Sequence, residues 1–211
     1  MTKKLIIFGA SGHAKDVILA AQLMGYESFK LVTTDGRSQI AGLDAIKEAD
    51  FDPLSYPEWD CFAAIGRNDH RQRFFRQYAP RMHFVSIVSP TASVPTSAKI
   101  GTGTFIGAFA YIGPNVVIGE ACIVNTQTIV GHDARIGDFT HVGPKVCLSG
   151  HVELGERVFV GVGANFNNGS HDLPLTVADE VHIGMGCQIT ESIKLPGIRL
   201  IPKPNYIATQ S

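Results

Sequence analysis

The fold is decided by residues 100–137, IGTGTFIGAFAYIGPNVVIGEACIVNTQTIVGHDARIG. Aliphatic residues recur in this stretch every six positions, at Ile100, Ile106, Ile112, Ile118, Val124, Val130 and Ile136. The series continues without a slip through Val142, Leu148, Leu154, Val160 and Phe166. In nine of these twelve cases the next residue is Gly. Four residues after each aliphatic position stands a small or β-branched side chain, from Thr104, Ala110, Val116 and Cys122 onward to Ala164. The phase extends back to Val94 and Val88. It breaks after Phe166 and resumes at Val177, Ile183, Ile189, Leu195 and Ile201, which leaves five extra residues within 167–175.

A period of six is neither the 3.6 of a helix nor the 2 of an alternating strand. It resembles the hexapeptide repeat of left-handed parallel β-helices, which sets the expected fold. Each hexapeptide supplies one short strand and a corner. The aliphatic residue points into the prism, the Gly lets the backbone turn tightly, and the small residue fills the remaining interior. Three hexapeptides make an 18-residue coil, and coils stack as parallel strands about 4.8 Å apart. The repeat positions suffice for about six coils. The rival reading, a Gly-rich antiparallel sandwich with accidental spacing, has to explain twelve consecutive matches.

The rest of the chain has a different composition. Residues 1–87 hold 21 charged side chains and 6 of the 22 Gly; residues 100–166 hold only 8 charged side chains. This predicts two domains, 1–87 and 88–211, meeting near Val88-Ser89-Pro90. The first reads as an α/β unit with a small parallel, Rossmann-like sheet. Its strands are expected at 4–9, 29–33, 61–66 and 83–88. One helix carries Ala14, Val17, Ile18 and Ala21 on a single face and stops at Gly25; another spans 68–78. The stretch 35–59 stays unassigned.

Over the whole chain of 211 residues, 45% are apolar, 18% are charged and the net charge is −1. That balance argues against disorder and provides no bulk field for nucleic acid or an anionic membrane. No run of 18 apolar residues exists to span a bilayer. Lys3 and Lys4 lead into a first strand and not a secretory signal. Cys61, Cys122, Cys147 and Cys187 form no CxxC pair, which fits free thiols in a cytoplasmic protein.

Candidate chemistry falls in two places. The first strand ends in Gly9-Ala10-Ser11-Gly12-His13 at a helix N-terminus, where free N–H groups and the helix dipole suit a phosphate, although a tight strand–helix turn needs no ligand. Ile65-Gly66-Arg67-Asn68 ends another strand on the same carboxyl edge, where ligands of open α/β sheets bind. Four strands are few for a full dinucleotide fold, so a nucleotide or nucleotide-sugar fits better. In the repeat, His132 and Asp133 interrupt the pattern just after Val130-Gly131, at a corner where both can point outward. A His beside a carboxylate is a general-base arrangement. His141 lies half a coil further on, so on one prism it faces another side. Gly150, one coil above His132, leaves room over that imidazole. His151 and His182 read as plain polar corner residues. His171-Asp172 lies in the inserted loop, Cys122 sits at the inward phase, Cys147 stays unassigned, and no Ser–His–Asp set is present.

These residues resemble a family, the NeuD/PglD-like sugar acyltransferases, which include sialic acid O-acetyltransferase and the N-acetyltransferase of the bacillosamine pathway. The resemblance covers nearly the whole chain. It rests on residues 4–13, on Ala64-Ile65-Gly66-Arg67-Asn68, on the hexapeptide array, and on Asn125-Thr126 followed by His132-Asp133 and Ile136-Gly137. It implies a homotrimer with acetyl-CoA in the groove between neighbouring β-helices and no metal. It further implies His132 as catalytic base, Asp133 as the acid that raises its basicity, and His141, Gly150 and Val162 as acetyl-CoA contacts. Ser11, Gly12, His13, Thr33, Thr34, Gly66 and Asn68 match the positions that hold the nucleotide-sugar. Thr33 and Thr34 stand where the N-acetyltransferase branch has two acidic residues, and the chain end departs from the family pattern at Leu195-Pro196-Gly197 and 201–204. The function so implied is acetyl transfer to the amino group of a UDP-4-amino-4,6-dideoxyhexose type of sugar. Three alternatives stay open: O-acetylation of sialic acid, a trimeric zinc hydratase, and a non-catalytic assembly stem.

Overall fold

A computed structural model of the chain describes residues 2–201. The expected turn at Pro202-Lys203-Pro204 lies outside the described residues. The N-terminal unit runs β1 (Lys3–Phe8), α1 (Gly12–Leu23), β2 (Tyr26–Thr33), β3 (Ala45–Lys47), β4 (Asp60–Ala63), α2 (Asn68–Tyr78) and β5 (His83–Phe84). Its strands form one parallel sheet in the order β3-β2-β1-β4-β5. The central strand β1 is apolar on both faces, as a parallel sheet covered on both sides requires. Leu5 and Ile7 pack with Ala14, Val17 and Ile18 of α1. Ile6 and Phe8 pack with Phe74, Phe75 and Tyr78 of α2.

Two details differ from the expectation. The unassigned stretch contributes a fifth strand, β3. The single strand expected at 83–88 is two: His83–Phe84 closes the α/β sheet, and Ile87–Val88 pairs with Phe105–Ile106 in the second unit. The chain changes sheet at Ser86, whose hydroxyl donates to Gly101 O at 2.8 Å and accepts from Thr104 N at 3.2 Å.

From Ile87 the chain winds into the left-handed β-helix, with three parallel sheets of five, seven and five strands. The register is 18 residues, as where Val117 faces Arg135 and Ile118 faces Ile136. Every aliphatic repeat position from Ile106 to Phe166 is buried, and so are the small positions from Thr104 to Ala164. The polar members among these are satisfied internally. Thr104, Thr128 and Thr140 each donate a 2.8 Å bond to a carbonyl 15 residues on. The five extra residues are where the repeat places them. Leu154 faces Val177 and Phe166 faces Ile189, offsets of 23, whereas Cys147 still faces Asn165.

The repeat glycines do something other than turn the chain. A Cβ on Gly107 would stand 2.7 Å from Thr126 N, and one on Gly113 would stand 2.7 Å from His132 N. They therefore permit one coil to lie against the next. The left-handed backbone at the corners falls two residues later, mostly on non-glycines: Phe109, Asn115, Ala121, Gln127, Asp133, Phe139, Lys145, His151 and Arg157. At the end of the prism Leu195 and Ile201, expected inward, are exposed. Gly197, at φ 69°, turns a shortened last coil in which Val177 faces Ile193 and Ile183 faces Leu200. Ile193, Ile198 and Leu200 take the inward places instead.

The two units are fused along one face of the prism, formed by strands Ile87–Val88, Phe105–Ile106, Ile123–Val124, His141–Val142, Phe159–Val160, His182–Ile183 and Arg199–Leu200. The outward Ile87, Phe105 and Ile123 of its lower coils are buried in the α1 cluster. The upper coils, from His141 on, are left to form the wall of a cavity.

Candidate active site

The carboxyl edge of the α/β sheet faces that wall. Between them lies a cavity of about 1090 Å³, lined by Gly9, Ser11, Thr33, Thr34, Gly66 and Asn68 on one side and by His141, Phe159, His182 and Arg199 on the other. Gly9 is required where it stands. Its φ is 114°, and a Cβ there would lie 2.6 Å from Ala64 O. Ser11 caps α1, with its own side chain free of any cap bond. Thr33 Oγ1 bonds Asp35 at 3.3 Å and Arg37 O at 3.2 Å. Gly12 and His13 do not line the cavity. The His13 ring packs behind it, edge-on to Phe105 at 5.0 Å, with Nε2 buried and unpartnered.

One buried cation builds this edge. Arg71, on α2, donates from Nε to Ala121 O (2.7 Å), from Nη1 to Ile65 O (2.8 Å) and Gly66 O (3.2 Å), and from Nη2 to Asn68 Oδ1 (2.9 Å) and to Phe139 O. It fastens the Gly66 loop to two corners of the prism. Desolvation lowers its pKa to about 10, which still leaves it charged at neutral pH. Asn68 completes the clamp by donating to Arg157 O and Val158 O at 2.8 and 3.0 Å. Its amide groups are thus engaged between the two units.

His141 and His13 are held neutral. Burial, then the Arg71 charge, pushes His141 down to about 4. Burial, then His141 and Arg71, pushes His13 to about 3. A neutral His141 whose Nδ1 lies 3.1 Å from Gly66 O must carry its proton on Nδ1, because a carbonyl only accepts. Its Nε2 is therefore an acceptor. The resemblance put His141 among the acetyl-CoA contacts; it lines the same cavity as Ser11, Thr33, Thr34 and Gly66.

His132 and Asp133 lie elsewhere, at the corner between the other two faces, and do not line that cavity. His132 Nδ1 is 2.8 Å from Asp133 Oδ2, and the imidazole is 59% exposed. Asp133 also accepts from Asn115 Nδ2 at 3.1 Å. The His132 contact, then Asn115, holds its carboxyl below the usual carboxylate range. Gly150 does leave the space expected of it. A Cβ there would stand 2.6 Å from His132 Cε1 and Nε2. Val162 is exposed at the corner between the fused face and the face that carries Asn165–Phe166.

Two histidines first read as plain polar residues have company. His182 stacks on Phe159 with ring centroids 4.6 Å apart in the cavity wall, and burial, then Arg199, lowers its pKa. His151 packs edge-on to His132 at 5.2 Å. Among the described residues, His132, Asp133 and His151 are the one group whose ligand-type atoms all lie within 4.8 Å of one another. Asp133 is already engaged there by His132 and Asn115. His171 bonds Asp172 at 3.0 Å on the open surface of the inserted loop. Cys122 is core, its thiol pushed up to about 12 by burial. The wall residues Phe159 and Arg199 escaped the sequence reading. Phe159 stands one place before the inward Val160, on the same face as His141, but the repeat does not tell which face is covered, and Arg199 precedes Leu200, where the shortened coil has left the repeat's phase.

Comparison with known proteins agrees with both halves. Residues 4–78 match the family model of the PglD N-terminal domain, and residues 97–132 match that of the bacterial transferase hexapeptide, six repeats. PerB from Caulobacter crescentus, solved in complex with CoA and GDP-perosamine, is 29% identical with a TM-score of 0.83, over 93% of this chain and 92% of that one. The acetyltransferase domain of PglB from Neisseria gonorrhoeae is 30% identical with a TM-score of 0.80, over 94% and 96%. WeeI from Acinetobacter baumannii shares the fold, at 23% identity and a TM-score of 0.85 over 96% and 98%. Among the described residues no helix is long and apolar enough to cross a membrane. With its N-terminal unit and part of its repeat matched, and 94% of its length aligned at 30% identity to the PglB acetyltransferase domain, the chain belongs to the NeuD/PglD-like family of sugar acetyltransferases.

Proposed function

We propose that the protein transfers the acetyl group of acetyl-CoA to the amino group of a nucleotide-activated amino-deoxysugar. The observation that carries this reading is the His132–Asp133 pair, 2.8 Å apart on an open corner, its imidazole laid against Gly150 where no other residue would fit. With Nδ1–H held by the Asp133 carboxylate, His132 Nε2 carries the lone pair that accepts a proton. The sugar amine attacks the thioester carbonyl carbon and gives its proton to Nε2. Asp133 stabilises the imidazolium, backbone N–H groups steady the oxyanion, and the C–S bond breaks to release CoA. The nucleotide-sugar occupies the cavity at Ser11, Thr33, Thr34 and Gly66, with residues 1–87 as its domain and 88–211 as the acyl-transfer domain. Support for CoA and for a nucleoside-diphosphate amino sugar comes from PerB, crystallised with both, and from a PglB acetyltransferase domain crystallised with acetyl coenzyme A.

The reading includes a homotrimer. Cavity and base lie on different sides of one prism, and a threefold arrangement of prisms brings one chain's base to its neighbour's cavity. Exposed apolar side chains follow the same side: Phe109, Val162 and Met185 at the corner that leads out of the fused face, and Tyr111 and Ile129 on the face that follows it. CoA lies in the groove between chains, beside Gly150 and Val162.

The deciding assay gives acetyl-CoA to the wild-type enzyme with UDP- and GDP-linked 4-amino-4,6-dideoxyhexoses, and with free and CMP-linked sialic acid in parallel. Turnover on an amino sugar is expected, falling by about 10²–10⁴ in His132→Ala with the assembly intact. Acetylation of sialic acid alone would replace the acceptor with a hydroxyl, and full activity of His132→Ala would remove the base from the mechanism.

A further inference from the structure

Asp133 does not stand alone at its corner. Asn115, Asp133 and His151 occupy the same place in three successive coils, 18 residues apart, each with left-handed backbone at φ 60°, 59° and 55°. Side chains at such equivalent positions form a column up the edge of the prism. From below, Asn115 Nδ2 holds Asp133 Oδ1 at 3.1 Å. From above, His151 Nε2 stands 3.9 Å from Asp133 Oδ2, the oxygen that His132 Nδ1 also uses. The His151 ring meets the His132 ring edge-on, at 87° between planes. Its own side chain is only 23% exposed. It is thus a wall against which both members of the pair rest.

The backbone ties the wall in place. His151 N–H donates to His132 O at 3.1 Å, and His151 O accepts from Leu175 N at 3.1 Å, where the inserted loop returns to the prism. Gly169 N, inside that loop, donates to Gly150 O at 3.0 Å. The five-residue insertion is therefore fastened to the Gly150-His151 peptide directly above the base.

We infer that His151 is a positioning residue for the His132–Asp133 pair, a packed wall that holds the imidazole edge-on beside the carboxylate and keeps His132 Nε2 against Gly150. The inference rests on His132 acting as the base. A ring held by one neighbour and one hydrogen bond samples other rotamers, and a base within hydrogen-bond reach only part of the time loses rate in proportion.

The test compares His151→Gly, His151→Asn and the double variant His132→Ala/His151→Gly with wild type, in kcat, KM for each substrate and melting temperature. Gly and Asn both tolerate the left-handed backbone. His151→Gly is expected to lower kcat about tenfold while both KM values stay within about twofold and the fold is retained. His151→Asn, which keeps a polar group toward Asp133, recovers most of the loss. The double variant is no slower than His132→Ala alone, because His151 acts through His132. Unchanged kcat in His151→Gly, a loss confined to KM, or a further loss in the double variant would each overturn the inference. An active His132→Ala enzyme would overturn the base instead, so the two failures are distinguishable.

Discussion

The cavity and the His132 corner are built to opposite standards. The cavity edge is finished within one chain. Arg71 reaches five acceptors drawn from both units, and the neutral imidazoles of His141 and His13 stand half-buried around it. The corner is open: His132 is 59% exposed, and apolar Tyr111 and Ile129 lie uncovered on the face beside it. A pocket that must hold one ligand gains from rigidity fixed at folding. A reaction centre where two substrates meet has to admit and release them, and in the proposed trimer the remaining walls of this corner come from a second copy of the chain.

The sharpest way to break this contrast is complementation. Gly66→Leu places a side chain in the cavity without a backbone collision, since a Cβ there meets only His141 Cε1 at 4.0 Å. Gly66→Leu and His132→Ala are each expected to be nearly inactive. Unfolded together and reassembled, they should recover about a quarter of wild-type activity, the share of random interfaces that join an intact base to a neighbour's intact cavity. A mixture as inactive as its parts would place base and cavity in the same chain's service and undo the shared site.

The next largest effect tests the finished side. Arg71→Met keeps the apolar stem but leaves the carbonyls of Ala121 and Phe139 without their charged donor. Stability in urea, at fixed protein concentration, should fall by about 3–5 kcal/mol. Arg71→Lys should not restore it, because a single ammonium cannot reach acceptors on both units as the planar guanidinium does. A loss below about 1 kcal/mol would mean that the apolar packing of Phe75 and Phe139 carries the junction without the cation.

The sequence made these two regions legible to different degrees. The prism could be read in phase because a six-residue period leaves each inward position no other place, and even the insertion at 167–175 could be counted. Where the period is shortened, at Leu195 and Ile201, the phase pointed to the wrong residues, since two residues are already missing between Ile189 and Ile193 and nothing in the pattern marks the loss. At the corner, His132 and Asp133 stood out because they are adjacent in sequence and break a pattern. The cavity wall did not stand out. Phe159, His182 and Arg199 sit at ordinary outward positions, and only the docking of residues 3–84 on that face turns them inward. The same holds for Arg71, whose partners Ala121 and Phe139 lie 50 and 68 residues away. His151 was passed over for the related reason that a column runs across coils and not along the chain.

The smallest expected effect separates the regions by pH. His13 and His141 have pKa values of about 3 and 4 in the folded protein against an ordinary 6.5. Between those limits the unfolded chain binds protons that the folded chain refuses, so the stability they contribute is complete above pH 6.5 and is lost as pH falls toward 4. Between pH 7 and pH 5 the loss amounts to about 2 kcal/mol for each imidazole. Urea unfolding at the two pH values should therefore show a drop of about 4 kcal/mol in the wild type. In His141→Asn the amide can still donate to Gly66 O but no longer titrates, and the drop should be about half as large. An equal drop in both proteins would show that His141 meets the proton in the folded state, and that the cavity edge is wetter and looser than its hydrogen bonds require.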